Sequence, residues 1–236
     1  MSTPSQSSGQ ARAAAGLLAA AGLLCGGAVM AGAAGTLSDA EWERLEAQHA
    51  VRTDHVSSGE LRFLATPPAR PVHEHHNTIT LLPGSLRDGW VRLNQCHATL
   101  DRVPRTQIVF RPERSRALRI LSQAGIGRAW VQDASVQLEA VGDQAHLCLE
   151  TETRALETTP DGFVLRNGPF MRRFLDGYYP MRVTVTLLYP PGLLRPQTLH
   201  PAPQPGLTVR EQPGLFHFDA WFEGALRTEI RLRPAA

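Results

Sequence analysis

The sequence predicts an all-β fold, an antiparallel sandwich-like architecture with one short helix near its start. Three observations point there. Apolar and polar residues alternate with period two through most of residues 77–232, as in strands with one buried face. Turn signals rich in proline and glycine recur between these segments at roughly 8–12-residue spacing, the rhythm of sandwiches and barrels. The one long uncharged run sits at the N-terminus, where it reads as a leader and not as part of a core.

That run extends from Ala13 to Gly35, after a single positive charge at Arg12, and holds the small-x-small site Ala31-Gly32-Ala33. Such an order of charge, apolar stretch and small-residue site predicts a secretory signal peptide over residues 1–33. The run is long enough to cross a bilayer, but alanine and glycine dominate it and make it a weak anchor. The expected location is the periplasm or the exterior, with no stable membrane span after cleavage. Anchoring to the membrane through an uncleaved leader is the alternative.

Charge sets further bounds. There are 24 basic residues, every one arginine, against 22 acidic ones, and the net charge is +2. No basic stripe with interleaved aromatics occurs, which argues against nucleic acid as a partner. Without the leader, two cysteines stay in the chain, Cys96 and Cys148. In Trp90–Cys96, Val91 and Leu93 share one strand face, and Cys96 falls on the other with Arg92 and Asn94. In His146–Glu150, Leu147 and Leu149 share a face, and Cys148 falls opposite with His146 and Glu150. Two cysteines on polar strand faces of an exported chain predict a Cys96–Cys148 disulfide.

The elements follow in order. Residues 34–71 hold a helix and a proline-rich connector. Ser38 caps the helix, Glu41 completes a capping box, and the helix runs to about His49. Residues 72–166 form a first β-domain that carries the disulfide, with Gly125-Ile126-Gly127 and Gly142-Asp143 read as turns and Asp161-Gly162 as a hairpin. Residues 167–180 form a connector with a helical turn, Asn167 as its cap, Pro169 inside it and Gly177 as its stop. Residues 181–236 form a second small β-domain or a second sheet, led by a strand over Met181–Tyr189 in which Val183, Val185 and Leu187 alternate with Arg182, Thr184 and Thr186.

Chemistry concentrates in a few places. His73-Glu74-His75-His76 places three imidazoles within four residues, a donor set suited to copper or zinc. On a strand, His73 and His75 share a face, and Glu74 and His76 take the other. Cys96, His97 and Cys148 could add ligands if the thiols were free. Arg172-Arg173, Asp176 and Tyr178-Tyr179 form a partner-binding candidate, because guanidinium forks grip anions and tyrosine rings stack on ligands. Arg111, Arg114, Arg116 and Arg119 form a basic patch that also reads as a protected strand edge. No nucleophile elbow, zincin helix or P-loop is present, and the acid pair Glu150 and Glu152 is the one thin lead toward a hydrolase.

The expected function is therefore that of an exported cell-envelope binding or assembly protein, without catalytic activity or cofactor, acting by noncovalent recognition. Its partner would be an envelope protein or a small anionic or sugar ligand. A periplasmic copper- or zinc-binding accessory using His73, His75 and His76 is the alternative, and an envelope-polymer hydrolase comes third.

Overall fold

Alternation decides which residues meet. In the strand Met181–Leu188, residues Met181, Val183, Val185 and Leu187 are at most 1% exposed, while Arg182, Thr186 and Leu188 face outward. Leu215–Glu223 repeats the pattern with Phe216, Phe218, Ala220 and Phe222. Period-two burial of this kind needs a second layer to cover the apolar face.

A computed structural model describes residues 59–235; the leader and the helix expected over 38–49 lie outside the described residues. The first elements are β1 (Arg62–Phe63), β2 (Glu74–Leu81), the one-turn helix α1 (Ser85–Asp88), β3 (Trp90–Leu100), β4 (Val103–Val109), β5 (Ser115–Gln132) and β6 (Ser135–Arg154). They are followed by β7 (Leu156–Thr159), β8 (Gly162–Phe170), β9 (Arg172–Phe174), β10 (Gly177–Tyr179), β11 (Met181–Leu188), β12 (Leu194–His200), β13 (Leu207–Gln212), β14 (Leu215–Glu223) and β15 (Leu226–Pro234). The fold is mostly β, as the alternation predicts.

Two main sheets face each other. The larger runs β1-β14-β11-β2-β3-β6-β4, with β13 also on β14 and β5 also on β6. The smaller runs β12-β15-β8-β7. Ile79, Leu81, Val91 and the inward residues of β11 and β14 pack with Leu165, Phe170, Leu199, Leu226, Ile230 and Leu232 of the smaller sheet. Those of them that are fully buried contribute about 1.5–3 kcal/mol each. A second cluster, Val136, Leu138, Val141, Ala145, Leu147 and Leu149, lines the long strand β6.

Three sequence expectations change here. The chain does not divide into β-units at 167–180: β11 pairs in parallel with β2, and β15 pairs with β8, so both sheets draw strands from both sides of that segment. Gly125-Ile126-Gly127 and Gly142-Asp143 are not turns but irregularities inside β5 and β6, which run on past them. Gly125, Ala140 and Gln144 take positive φ there, the left-handed conformation that one class of bulge uses. The helical turn expected from Asn167 is absent. Asn167 pairs with Thr228, and Phe170 pairs with Leu226 and is 8% exposed, so the core claims this segment as strand.

The disulfide joins direct cross-strand partners. Cys96 and Cys148 pair in the β3–β6 register, with a Cα–Cα distance of 4.1 Å, and both are half-buried on the face away from the core. Among the described residues, no helix is long and apolar enough to cross a membrane.

Candidate functional site

The histidine cluster lies on a strand, and the pleat divides it. Glu74–His76 opens β2, which is paired on both sides, with β3 and with β11. His73 and His75 project to the inner face, and the β2–β3 register places His97 directly opposite His75. The three rings stack: His75 and His97 have centroids 4.3 Å apart, His73 and His97 5.2 Å, with planes within 26° of parallel. Phe170 caps the stack edge-on to His75 at 5.3 Å.

A hydrogen-bond chain fixes the protons. The Gln95 amide nitrogen lies 2.7 Å from His97 Nε2, so that Nε2 accepts. His97 Nδ1 then carries the proton and donates to His73 Nε2 at 3.0 Å. His75 Nε2 is enclosed and has no hydrogen-bond partner among the described residues. Burial holds all three rings neutral, since an imidazolium pays heavily for desolvation. It pulls His73 down to about 4, with the Asp101 carboxylate opposing, and His75 down to about 3, with repulsion from His73 adding to the effect. His97 is pushed well below its ordinary value by burial first and then by His75 and His73.

His76 is not part of this group. It stands on the outer face of β2, with Nδ1 2.9 Å from Thr184 Oγ1 and Nε2 3.2 Å from Glu74. Glu74 also accepts from Arg182, which is clamped by Asp219 at 3.0 and 2.7 Å. The set of His73, His75 and His76 is split across the sheet as the strand alternation expects, and His97 joins His73 and His75 on the inner face. Among the described residues, the one group of three donor atoms within 4.8 Å of one another is Cys96, His146 and Cys148. The disulfide consumes both of its thiolates, the form in which cysteine binds metal.

The segment read as a partner-binding connector is a β9–β10 hairpin rooted beside the histidine stack. Tyr179 pairs with Arg172, Tyr178 with Arg173, and Gly177 with Phe174, leaving Leu175-Asp176 as a two-residue tip. Arg172 reaches back to Asp101 between β3 and β4, donating from Nε at 2.9 Å and from Nη2 at 2.5 Å. Its guanidinium lies 5.6 Å from the Tyr179 ring and 5.7 Å from Phe174, and Arg173 lies 5.4 Å from Tyr178, within cation–π range. Tyr179 donates to Asp176 at 2.5 Å. The expected binding residues are therefore occupied with one another and rigidify the hairpin. What they hold out to solvent is apolar: Leu175 is fully exposed, and Phe174 and Met171 are 39% and 41% exposed.

The remaining candidates are tied down. Glu150 and Glu152 lie on the outer face of β6 and accept from Arg119 and Arg116, at 2.5 and 2.8 Å. Those arginines belong to the expected basic patch, whose Arg114 is held by Glu157 at 3.2 Å, leaving Arg111 as the member without an acidic partner among the described residues. Among the described residues β5 pairs only with β6 and forms a sheet edge, the setting in which alternating charges guard against unwanted strand pairing.

Sequence reasoning missed Asp101 and gave His97 only a marginal place. A register argument could have found His97, because an antiparallel pairing of His75 with His97 also sets His76 opposite Cys96. Nothing local marks Asp101, whose partner lies 71 residues away. Comparison with protein-family models, with curated proteins and with solved structures finds no match to this chain.

Proposed function

We propose that this protein is an exported cell-envelope binding protein that acts by noncovalent recognition, with the β9–β10 hairpin as its contact surface. The observation that carries the reading is Leu175, a fully exposed leucine at the tip of a hairpin whose root is pinned by the Arg172–Asp101 pair. A preorganised apolar anchor binds at low entropic cost, and exposed apolar groups held out together mark interaction sites. The disulfide supports export, because such bonds persist in oxidising compartments.

The test is capture of envelope components by the immobilised protein, beside a Phe174→Ser/Leu175→Asp variant and a Leu193→Asp control at another exposed leucine. A captured component lost in the hairpin variant and kept in the control supports the reading. Identical capture by all three proteins removes the hairpin as the contact surface.

A copper- or zinc-binding accessory is the second reading, with His97 in place of His76. It is favoured by the unpartnered His75 Nε2 within a stack of neutral imidazoles. It requires the rings to leave their stacked arrangement so that their nitrogens converge. Calorimetric titration of copper and zinc into the wild-type protein and a His75→Ala variant decides it: stoichiometric submicromolar binding lost in the variant supports this reading, and equal weak binding in both removes it.

A further inference from the structure

We propose that the cleft between the end of β6 and the β8–β15 pair binds a phosphate-bearing ligand. The cleft encloses about 680 Å³, within the range of small-molecule sites. Five arginines line it against two glutamates. Arg114 and Arg166 are spoken for, since Glu157 accepts from both and Glu229 from Arg166. Arg111, Arg154 and Arg227 reach the same cleft with no acidic partner among the described residues.

The floor supplies a second, independent observation. Thr228 is 3% exposed, and its Oγ1 is enclosed without a hydrogen-bond partner among the described residues. Its cross-strand neighbour Asn167 has its Nδ2 enclosed and unpartnered in the same way. Both residues line the cleft. Leaving one such group unsatisfied is costly, and two side by side on one wall are explained by a ligand that accepts from them. A hydroxyl and an amide N–H₂ both donate. Donors on the floor and guanidinium forks on the rim make an oxyanion site.

The charge count favours phosphate over a single carboxylate. Three unpaired guanidinium groups outnumber the one negative charge of a carboxylate, whereas a phosphate monoester or pyrophosphate carries two or more. Phe110 and Pro169 give the same cleft an apolar wall for the remainder of the ligand. This site is separate from the hairpin and does not depend on its role.

Two sources share this chemistry, a free phosphorylated molecule and a lipid whose headgroup is a phosphate monoester. The experiment is calorimetric titration of the full chain with inorganic pyrophosphate, together with flotation on vesicles of phosphatidylcholine containing phosphatidic acid. The variants are Arg111→Gln/Arg227→Gln, Thr228→Val, and a charge-matched control, Arg92→Gln/Arg210→Gln, each checked for an unchanged unfolding midpoint. Saturable pyrophosphate binding, weakened at least tenfold in the first variant and several-fold in Thr228→Val but kept in the control, supports a free ligand. Vesicle binding with the same dependence, and no pyrophosphate binding, supports a headgroup. Failure to bind either probe, or binding that falls equally in the control, overturns the proposal.

Discussion

Arg172 grips Asp101 with two donors, Nε on Oδ2 at 2.9 Å and Nη2 on Oδ1 at 2.5 Å. This ties the root of the β9–β10 hairpin to the β3–β4 turn. The two side chains are 19% and 30% exposed, so solvent screens the pair only in part. Arg172→Ala is expected to cost about 1.5–3 kcal/mol, the range for hydrogen bonds to charged groups. It should also speed amide hydrogen exchange across residues 172–179. Arg172→Lys should rescue little, because an ammonium cannot reproduce the two-point grip. Urea unfolding and exchange mass spectrometry check both effects; an unchanged exchange pattern would show that the hairpin is held by something else.

The histidine stack predicts acid sensitivity. His73 and His75 fall from the ordinary 6.5 to about 4 and about 3 in the folded protein, and His97 also falls well below it. The unfolded chain therefore takes up protons below pH 6.5 that the folded chain refuses. Stability is whole above that pH and drains away as pH drops from about 6.5 toward 4. Each histidine contributes up to about 1.4 kcal/mol per pH unit across that window. His75→Phe removes one of these titrating groups and should flatten the slope, while His73, His97 and His217, also lowered by burial, keep part of it. Urea midpoints measured from pH 7 to pH 4 test this; a flat wild-type profile would contradict it.

Cutting the disulfide should be costly. It closes a loop with a sequence separation of 52, and the chain-entropy relation gives about 4 kcal/mol for such a loop. Cys96→Ala/Cys148→Ala, or reduction of the native bond, should lower the unfolding free energy by about that amount. Denaturant titration with and without reductant reads it directly.

Gly162, at the hairpin the sequence marked, carries a tight turn requirement. Its φ is +142°, and a Cβ there would lie 2.3 Å from the Leu232 carbonyl oxygen on the adjacent strand. Gly162→Ala should cost about 1–3 kcal/mol in backbone strain. Gly192→Ala, where an added Cβ meets nothing within 4 Å, should stay within about 0.5 kcal/mol of wild type. Thermal unfolding of the two variants side by side makes the comparison.

Local rules read the strands well and their partners poorly. Val183, Val185 and Leu187 announce a buried face, and β11 buries them. The polar-face placement of Cys96 and Cys148 anticipates a bond that forms across one register pair. The Asp161-Gly162 signal marks a real hairpin between β7 and β8. Glycine misleads where it serves a bulge: Gly125 and Gly142 look like strand ends, yet β5 and β6 bend there and continue. Pairing is the larger gap. Nothing near His73 says that Asp101 and Arg172 will come to its side, because that depends on which strands become neighbours. The cleft of Arg111, Asn167 and Arg227 was invisible for the same reason, its lining being drawn from seven strands and the links between them.

The parallel pairing of β2 with β11 governs the order of events during folding. Thr184 lies 108 residues after His76, its partner across that pair. β3 can join β2 as soon as both have been made, but the opposite edge of β2 stays bare until the chain has been synthesised through β11. Contacts of such sequence separation are slow to close, and unpaired strand edges invite aggregation while they wait. A nascent chain truncated before Met181 is thus a sticky intermediate with its central strand open, and the protein depends on its own final quarter, or on a holdase, to be safe from its neighbours.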